Sequence, residues 1–214
     1  MRQEQNTPIK AKKPSYLTAE CSPDSSGIYS VPEHCASPRH PLASQVLMSP
    51  KKLMAEGRFH FIQQTAAAHT SKGIPLFDLS QAIEEDGWHQ DENGKLQDAI
   101  HVVKIGDVFV NIDNRRPLAC LADDTHSRIY AIVHNPDDPL PKALQKRFST
   151  KDKKARVWRD AITYRAAGNS TRKSPSSELP KLRTKDSTLL DRYKGAQETV
   201  GFYESKAKTL RGMR

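Results

Sequence analysis

The sequence predicts an α+β fold: a small mixed sheet with flanking helices over residues 51–168, behind a disordered N-terminal tail spanning residues 1–50. Three observations carry this. Residues 100–104 and 108–112 are two β-branched runs around Gly106 and Asp107, a pair suited to the positive φ of a tight hairpin. Short stretches of helical spacing lie on both sides of that hairpin. Residues 1–50 carry Pro8, Pro14, Pro23, Pro32, Pro38, Pro41 and Pro50 among many serines and keep no period, as expected of chain that buries too little apolar surface to order itself.

After that leader, Phe59 and Phe61 share one face of a short extended piece, and an Ala-rich helical stretch follows, ending near Gly73. A second helix is expected over 77–85, with Leu79 and Ile83 four apart, Pro75 ahead of it and Gly87 stopping it. In the second hairpin strand Val108, Val110 and Ile112 share a face, while Phe109, Asn111 and Asp113 take the other. That strand runs into Asn114, Arg115 and Arg116. Pro117 then supplies the φ favoured at a helix start, with Leu118, Leu121 and Ala122 as the buried stripe.

Residues 128–134 read as another strand, and helices follow around 143–148 and over 155–167. The last of these aligns Val157, Trp158, Ala161, Ile162 and Arg165, and Gly168 with Asn169 ends it. Residues 169–185 are a basic linker. Beyond it Leu189, Tyr193, Ala196, Val200, Tyr203, Ala207 and Leu210 alternate spacings of four and three. This is the seam of an amphipathic C-terminal helix over 186–214, docked on its own domain or on a partner helix.

Of the 214 residues 36% are apolar and 28% charged, enough for a core over part of the chain but not all of it. Cys21, Cys35 and Cys120 are odd in number and widely spaced, which argues against a disulfide framework and for a reducing compartment. No apolar run approaches the roughly 18 residues of a spanning helix, and the N-terminus lacks a signal peptide's apolar stretch. A soluble, cytoplasmic protein with no membrane span is therefore expected. Its leader is either an inert tail or a delivery signal for a specialised secretion system.

The net charge of +9 is uneven: −5 over residues 51–141, +7 over 142–159 and +6 over 169–214. Lys146, Arg147, Lys151, Lys153, Lys154 and Arg156 form the candidate nucleic-acid-binding segment. An anionic membrane surface, an acidic protein or plain solvation would use the same charge.

The eight histidines, His34, His40, His60, His69, His89, His101, His126 and His134, form no i, i+4 or Cys-paired ligand set, so no metal site is expected. No phosphate-binding glycine loop, dinucleotide motif or serine nucleophile elbow is present. Glu84, Glu85 and Asp86 read as a solvated surface turn. The candidate site is the quartet Asp113, Asn114, Arg115 and Arg116 at the strand-to-helix junction, where unpaired N–H groups and two guanidiniums make an anion cradle. Two readings stay open: Asp113 clamps the arginines structurally, or a bound phosphate satisfies them.

Taken together, "RFHFIQQTAAAHTSKG", a short helix ending "EEDG", and "IHVVKIGDVFVNIDNRRPLACL" resemble the ParB/sulfiredoxin-like superfamily, and within it the ParB-like domains of bacterial toxins and effectors. The likeness spans residues 58–166 and includes "PKALQKRFST" and "WRDAITYRAA". It implies that Phe61 and Gln63 form the family's Phe-x-Gln element and that Asp113 through Arg116 stand at its site motif. Asn114 replaces both the Glu of partition proteins and the Cys of sulfiredoxins. Sulfiredoxin chemistry is thereby excluded. Pro117 stands where the toxin-like pattern has Leu.

The resemblance implies action on nucleic acid or a nucleotide phosphate, by nuclease or phosphoryl-transfer chemistry; the cofactor stays open, a nucleotide being one candidate. Arg115 and Arg116 would hold a phosphate bidentately and Asp113 would orient a nucleophile or water. Gln63 and His101, with Phe61, would position substrate. The alternative is a non-catalytic interaction module of the same fold, binding a protein partner through the C-terminal helix.

Overall fold

Val102 and Val103 face opposite sides of the sheet, and each side has its own core. The computed structural model of the chain describes residues 27–69, 73–122, 128–167 and 174–185, with 190, 191, 193 and 194. The expected hairpin is present: β5 (Ile100–Ile105) pairs antiparallel with β6 (Val108–Asn111), Ile105 lying opposite Val108. The two residues between them make the turn, with Gly106 at φ 58°, a left-handed conformation that a Cβ disfavours.

Four further strands extend the hairpin into one mixed sheet. These are β1 (Ile28–Ser30), β2 (Gln45–Met48), β3 (Phe59–Phe61) and β7 (Ile129–His134), in the order β1-β2-β7-β5-β6-β3. The pairs β5/β7 and β3/β6 are parallel and the others antiparallel. On one face Ile100, Val102 and Phe109 pack with Leu53 and Met54 of α1 (Pro50–Ala55), Leu76 and Phe77 of α2 (Leu76–Asp86), and Leu118 and Leu121 of α3 (Arg115–Ala122). On the other, Val103, Val110 and Ile112 pack with Phe148 of α4 (Lys142–Phe148) and Trp158 and Ile162 of α5 (Trp158–Ala167). Period-two alternation along β5 and β6 thus supplies two cores at once. No helix among the described residues is long and apolar enough to cross a membrane.

Three expectations are corrected. The leader does not stay irregular to residue 50, because residues 28–48 contribute β1 and β2 to the sheet. One buried side chain secures this segment. The Gln45 amide accepts the Ser37 N–H at 2.8 Å and the Tyr130 hydroxyl at 2.6 Å, and donates to the carbonyls of Ser37 at 2.9 Å and His40 at 2.7 Å. Polar groups that a proline-rich stretch cannot pair within itself are satisfied there by a side chain of the sheet. Residues 1–26 lie outside the described residues.

The Ala-rich stretch is not a helix. Thr65–Ala67 is a strand, β4, paired parallel with β8 (Lys181–Arg183) inside the segment expected to be a linker. Alanine's helix preference is a weak prior that long-range pairing overrides. Finally α3 begins at Arg115, so Pro117 stands in its first turn rather than at its first position. Most of the expected C-terminal helix lies outside the described residues. Tyr193, one of its seam positions, is buried in the first core, and its hydroxyl donates to the Pro180 carbonyl.

Candidate anion-binding site

Asn111 ends β6 fully buried, and its side-chain carbonyl accepts the Asp113 backbone N–H at 2.9 Å. This short-range bond turns the chain out of the sheet. The next residues then point in three directions. Asn114, itself buried, reaches across to the β3–β4 loop, where its amide nitrogen donates to the carbonyls of Gln63 at 3.3 Å and Thr65 at 3.4 Å. Arg116 turns inward, donating to one Asp113 oxygen from Nε at 2.9 Å and Nη2 at 2.5 Å, and from Nη1 to the Asp98 carbonyl. Arg115 turns outward, with Nη1 donating to the His69 carbonyl at 3.3 Å.

Outside this junction lies a cleft of about 230 Å³. Arg115, Arg147, Arg165 and Arg183 line it, with Gln63 and Asp113. The four arginines come from α3, α4, α5 and β8, so no single element makes the site. Among the described residues Asp113 is the one carboxylate in the lining, and Arg116 already holds it. Among the described residues none of the four cleft arginines has an ion-pair partner.

Their mutual repulsion registers on the neighbouring groups. Burial pulls the Arg165 guanidinium below its ordinary pKa, and Arg147 and Arg115 add to this while Asp113 opposes it. Arg165 donates from Nη2 to the side-chain oxygen Oε1 of Gln63 at 3.1 Å, but among the described residues its buried Nε has no hydrogen-bond partner. Buried guanidinium N–H groups without acceptors are costly, by about 1–3 kcal/mol each. Burial alone would raise the Asp113 pKa, but Arg116, Arg115 and Arg147 outweigh it and hold the carboxyl below the usual carboxylate range. The cleft therefore carries surplus positive charge and oriented donors, which is the chemistry of an oxyanion site.

The sequence-predicted residues divide accordingly. Gln63, Asp113, Asn114 and Arg115 line the cleft, and so does Arg147 from the basic segment. Arg116 does not, and its expected role as a second phosphate ligand is corrected to that of the clamp on Asp113. Phe61 is wholly buried and packs edge-on to Phe59 at 5.5 Å, so it supports the loop from beneath instead of meeting substrate. His101 is also corrected. It lies outside the cleft lining, with Nδ1 2.9 Å from His134 Nε2, and His134 stacks on Trp158 at 3.8 Å between centroids.

Lys146, Lys151, Lys153, Lys154 and Arg156 are exposed around α4 and the turn after it. Among the described residues no three His, Cys, Asp or Glu side chains gather as a metal-ligating group. Two cleft arginines escaped the sequence reading of the site. Arg165 had a signal, a charged residue on the buried stripe of its helix, whereas Arg183 sat in an apparent linker and had none. Compared with family models, with curated proteins and with solved structures, the chain matches none.

Proposed function

We propose that the domain binds a phosphate-bearing ligand, nucleic acid or nucleotide, in the four-arginine cleft. The observation that carries this is the gathering of Arg115, Arg147, Arg165 and Arg183 around one cavity whose single lining carboxylate is already held by Arg116. Concentrating four guanidiniums without acids is unfavourable for the empty protein, and a bound oxyanion relieves it. Lys151, Lys153 and Lys154, all exposed, follow Arg147 within seven residues of sequence. Together with the resemblance to ParB-like toxin and effector domains, this favours nucleic acid as the source of the phosphate.

Asp113 borders the same cleft, so phosphoryl-transfer or nuclease chemistry would draw on it to orient a hydroxyl or water. Held ionised by its arginine neighbours, it is a weak proton acceptor, and positioning is the role open to it. Binding of labelled single-stranded DNA, RNA and nucleotides to the full chain tests the reading. Affinity should fall linearly on a log–log salt plot, and each cleft arginine changed to Ala should reduce the slope by about 0.7 for a single strand. The reading fails if none of these ligands binds at low salt.

A further inference from the structure

A second cavity of about 230 Å³ abuts the arginine cleft. Gln63, Arg147 and Arg165 belong to both walls, and Phe148, Ser149, Thr150 and Tyr164 complete the second. Its chemistry is different. The half-buried Tyr164 carries the Lys153 ammonium 5.9 Å from its ring centroid, and the Phe148 ring lies 5.2 Å from the Arg147 guanidinium and 6.0 Å from that of Arg165. Ser149 Oγ accepts the Ala155 N–H at 3.0 Å, and Thr150 Oγ1 accepts the Lys153 N–H at 3.1 Å. Both oxygens are thereby fixed, and each hydroxyl keeps a proton to donate.

Neither space alone reaches the roughly 300–1,000 Å³ of a pocket that encloses a whole small molecule. Side by side they suit a ligand divided into an anionic part and a flat part. We propose, building on the phosphate reading of the first cleft, that the second cavity is a base-stacking subsite and that the ligand is single-stranded nucleic acid. A phosphate sits among the four arginines, the adjoining base lies against Tyr164, and the strand continues over Lys151, Lys153 and Lys154. In a duplex the bases are paired and stacked on one another, so a tyrosine lining a concave wall meets only an unpaired base. An acidic peptide would match the charge but leave Tyr164 without a flat partner.

Four probes test the subsite on the full chain at fixed salt: inorganic phosphate, a ten-residue thymidine strand, the same strand built of abasic residues, and a duplex of equal length. The thymidine strand should bind about tenfold tighter than its abasic counterpart and tighter than the duplex. Tyr164→Ala should remove that tenfold while leaving phosphate and the abasic strand unchanged, which also shows that the first cleft remains folded. Tyr164→Phe should keep the preference. Equal binding of thymidine and abasic strands, equal binding of the duplex, or an equal loss for all probes in Tyr164→Ala overturns the subsite. Phosphate binding with no preference for bases ends only this inference, whereas no binding by any probe ends the arginine-cleft reading itself.

Discussion

Arg116 donates twice to one oxygen of Asp113, at 2.9 and 2.5 Å, while Arg115, its neighbour in sequence, lines the cleft and has no acid partner among the described residues. Successive residues of a helix point about 100° apart, so two adjacent arginines at the start of α3 serve opposite purposes. One fixes the carboxylate and the other faces the cleft. Of the two readings that the sequence left open, the clamp is present at Arg116, and the anion site is the one proposed for Arg115.

The clamp predicts a stability loss. Asp113→Asn leaves Arg116 beside a neutral partner in a site where the two side chains are 15% and 27% exposed. Discounted for that exposure, the loss should be about 2–4 kcal/mol in urea unfolding. Arg116→Ala should lose a similar amount, and the double variant clearly less than the sum of the two. Additive losses would show that the pair is not coupled.

Arg165 predicts the opposite trade. Arg165→Met keeps the stem's packing, removes a crowded charge and removes a buried donor that has no partner among the described residues. The variant should melt at the same temperature as the parent chain or a few degrees higher in phosphate-free buffer. It should also lose the stabilisation that added phosphate or oligonucleotide confers on the parent. A melting point lowered by several degrees without ligand would mark Arg165 as a structural residue.

Acid should unfold the second core. Burial lowers the His101 pKa to about 4, helped by His40 and Arg116, and lowers that of His134 to about 3, helped by His101 and His40. Both folded values lie below the ordinary histidine value of 6.5, so the unfolded chain takes up protons first. Stability is fully present above that pH and declines as pH falls below it, by up to about 1.4 kcal/mol per pH unit for each ring, until the folded rings titrate. His134→Phe keeps a flat ring on Trp158 and should roughly halve that slope, measured by urea unfolding between pH 7.5 and 4.5. A slope unaffected by the substitution would refute the assignment to this pair.

Asn114 predicts a mechanical effect. Its amide nitrogen spans the carbonyls of Gln63 and Thr65, so Asn114→Asp replaces the donor by a negative charge facing two acceptors. Stability should drop by about 1–3 kcal/mol, and amide exchange in residues 65–67 and 181–183 should accelerate more than in β5 and β7. Uniform exchange across the sheet would mean that the residue does not tie this strand pair.

Local pattern was enough where both partners of a contact lie close in sequence. The β5–β6 hairpin follows from Gly106 and two β-branched runs, α2 from the Leu79–Ile83 spacing and its Gly87 stop, and the junction that borders the candidate site from a charged quartet where a strand gives way to a helix. Residues 28–48 were not legible, because their order depends on Gln45 meeting Tyr130, 85 positions away, and prolines in a sequence look alike whether or not such a partner exists. The β4–β8 pair was hidden for the same reason. Parallel strands of three residues show no alternation long enough to read.

By itself the sequence determined which residues carry positive charge, that Arg115 and Arg116 stand at a strand-to-helix junction, and that one hairpin anchors the sheet. Only the tertiary structure decided which arginines share a cavity. It drew Arg147, Arg165 and Arg183 to Arg115 from three separate elements and turned Arg116 away to hold Asp113. The physical reason is range: turns and helical stripes are fixed by bonds across a few residues, whereas a cleft is defined by helices packing on a common sheet, and that packing joins positions the chain keeps far apart.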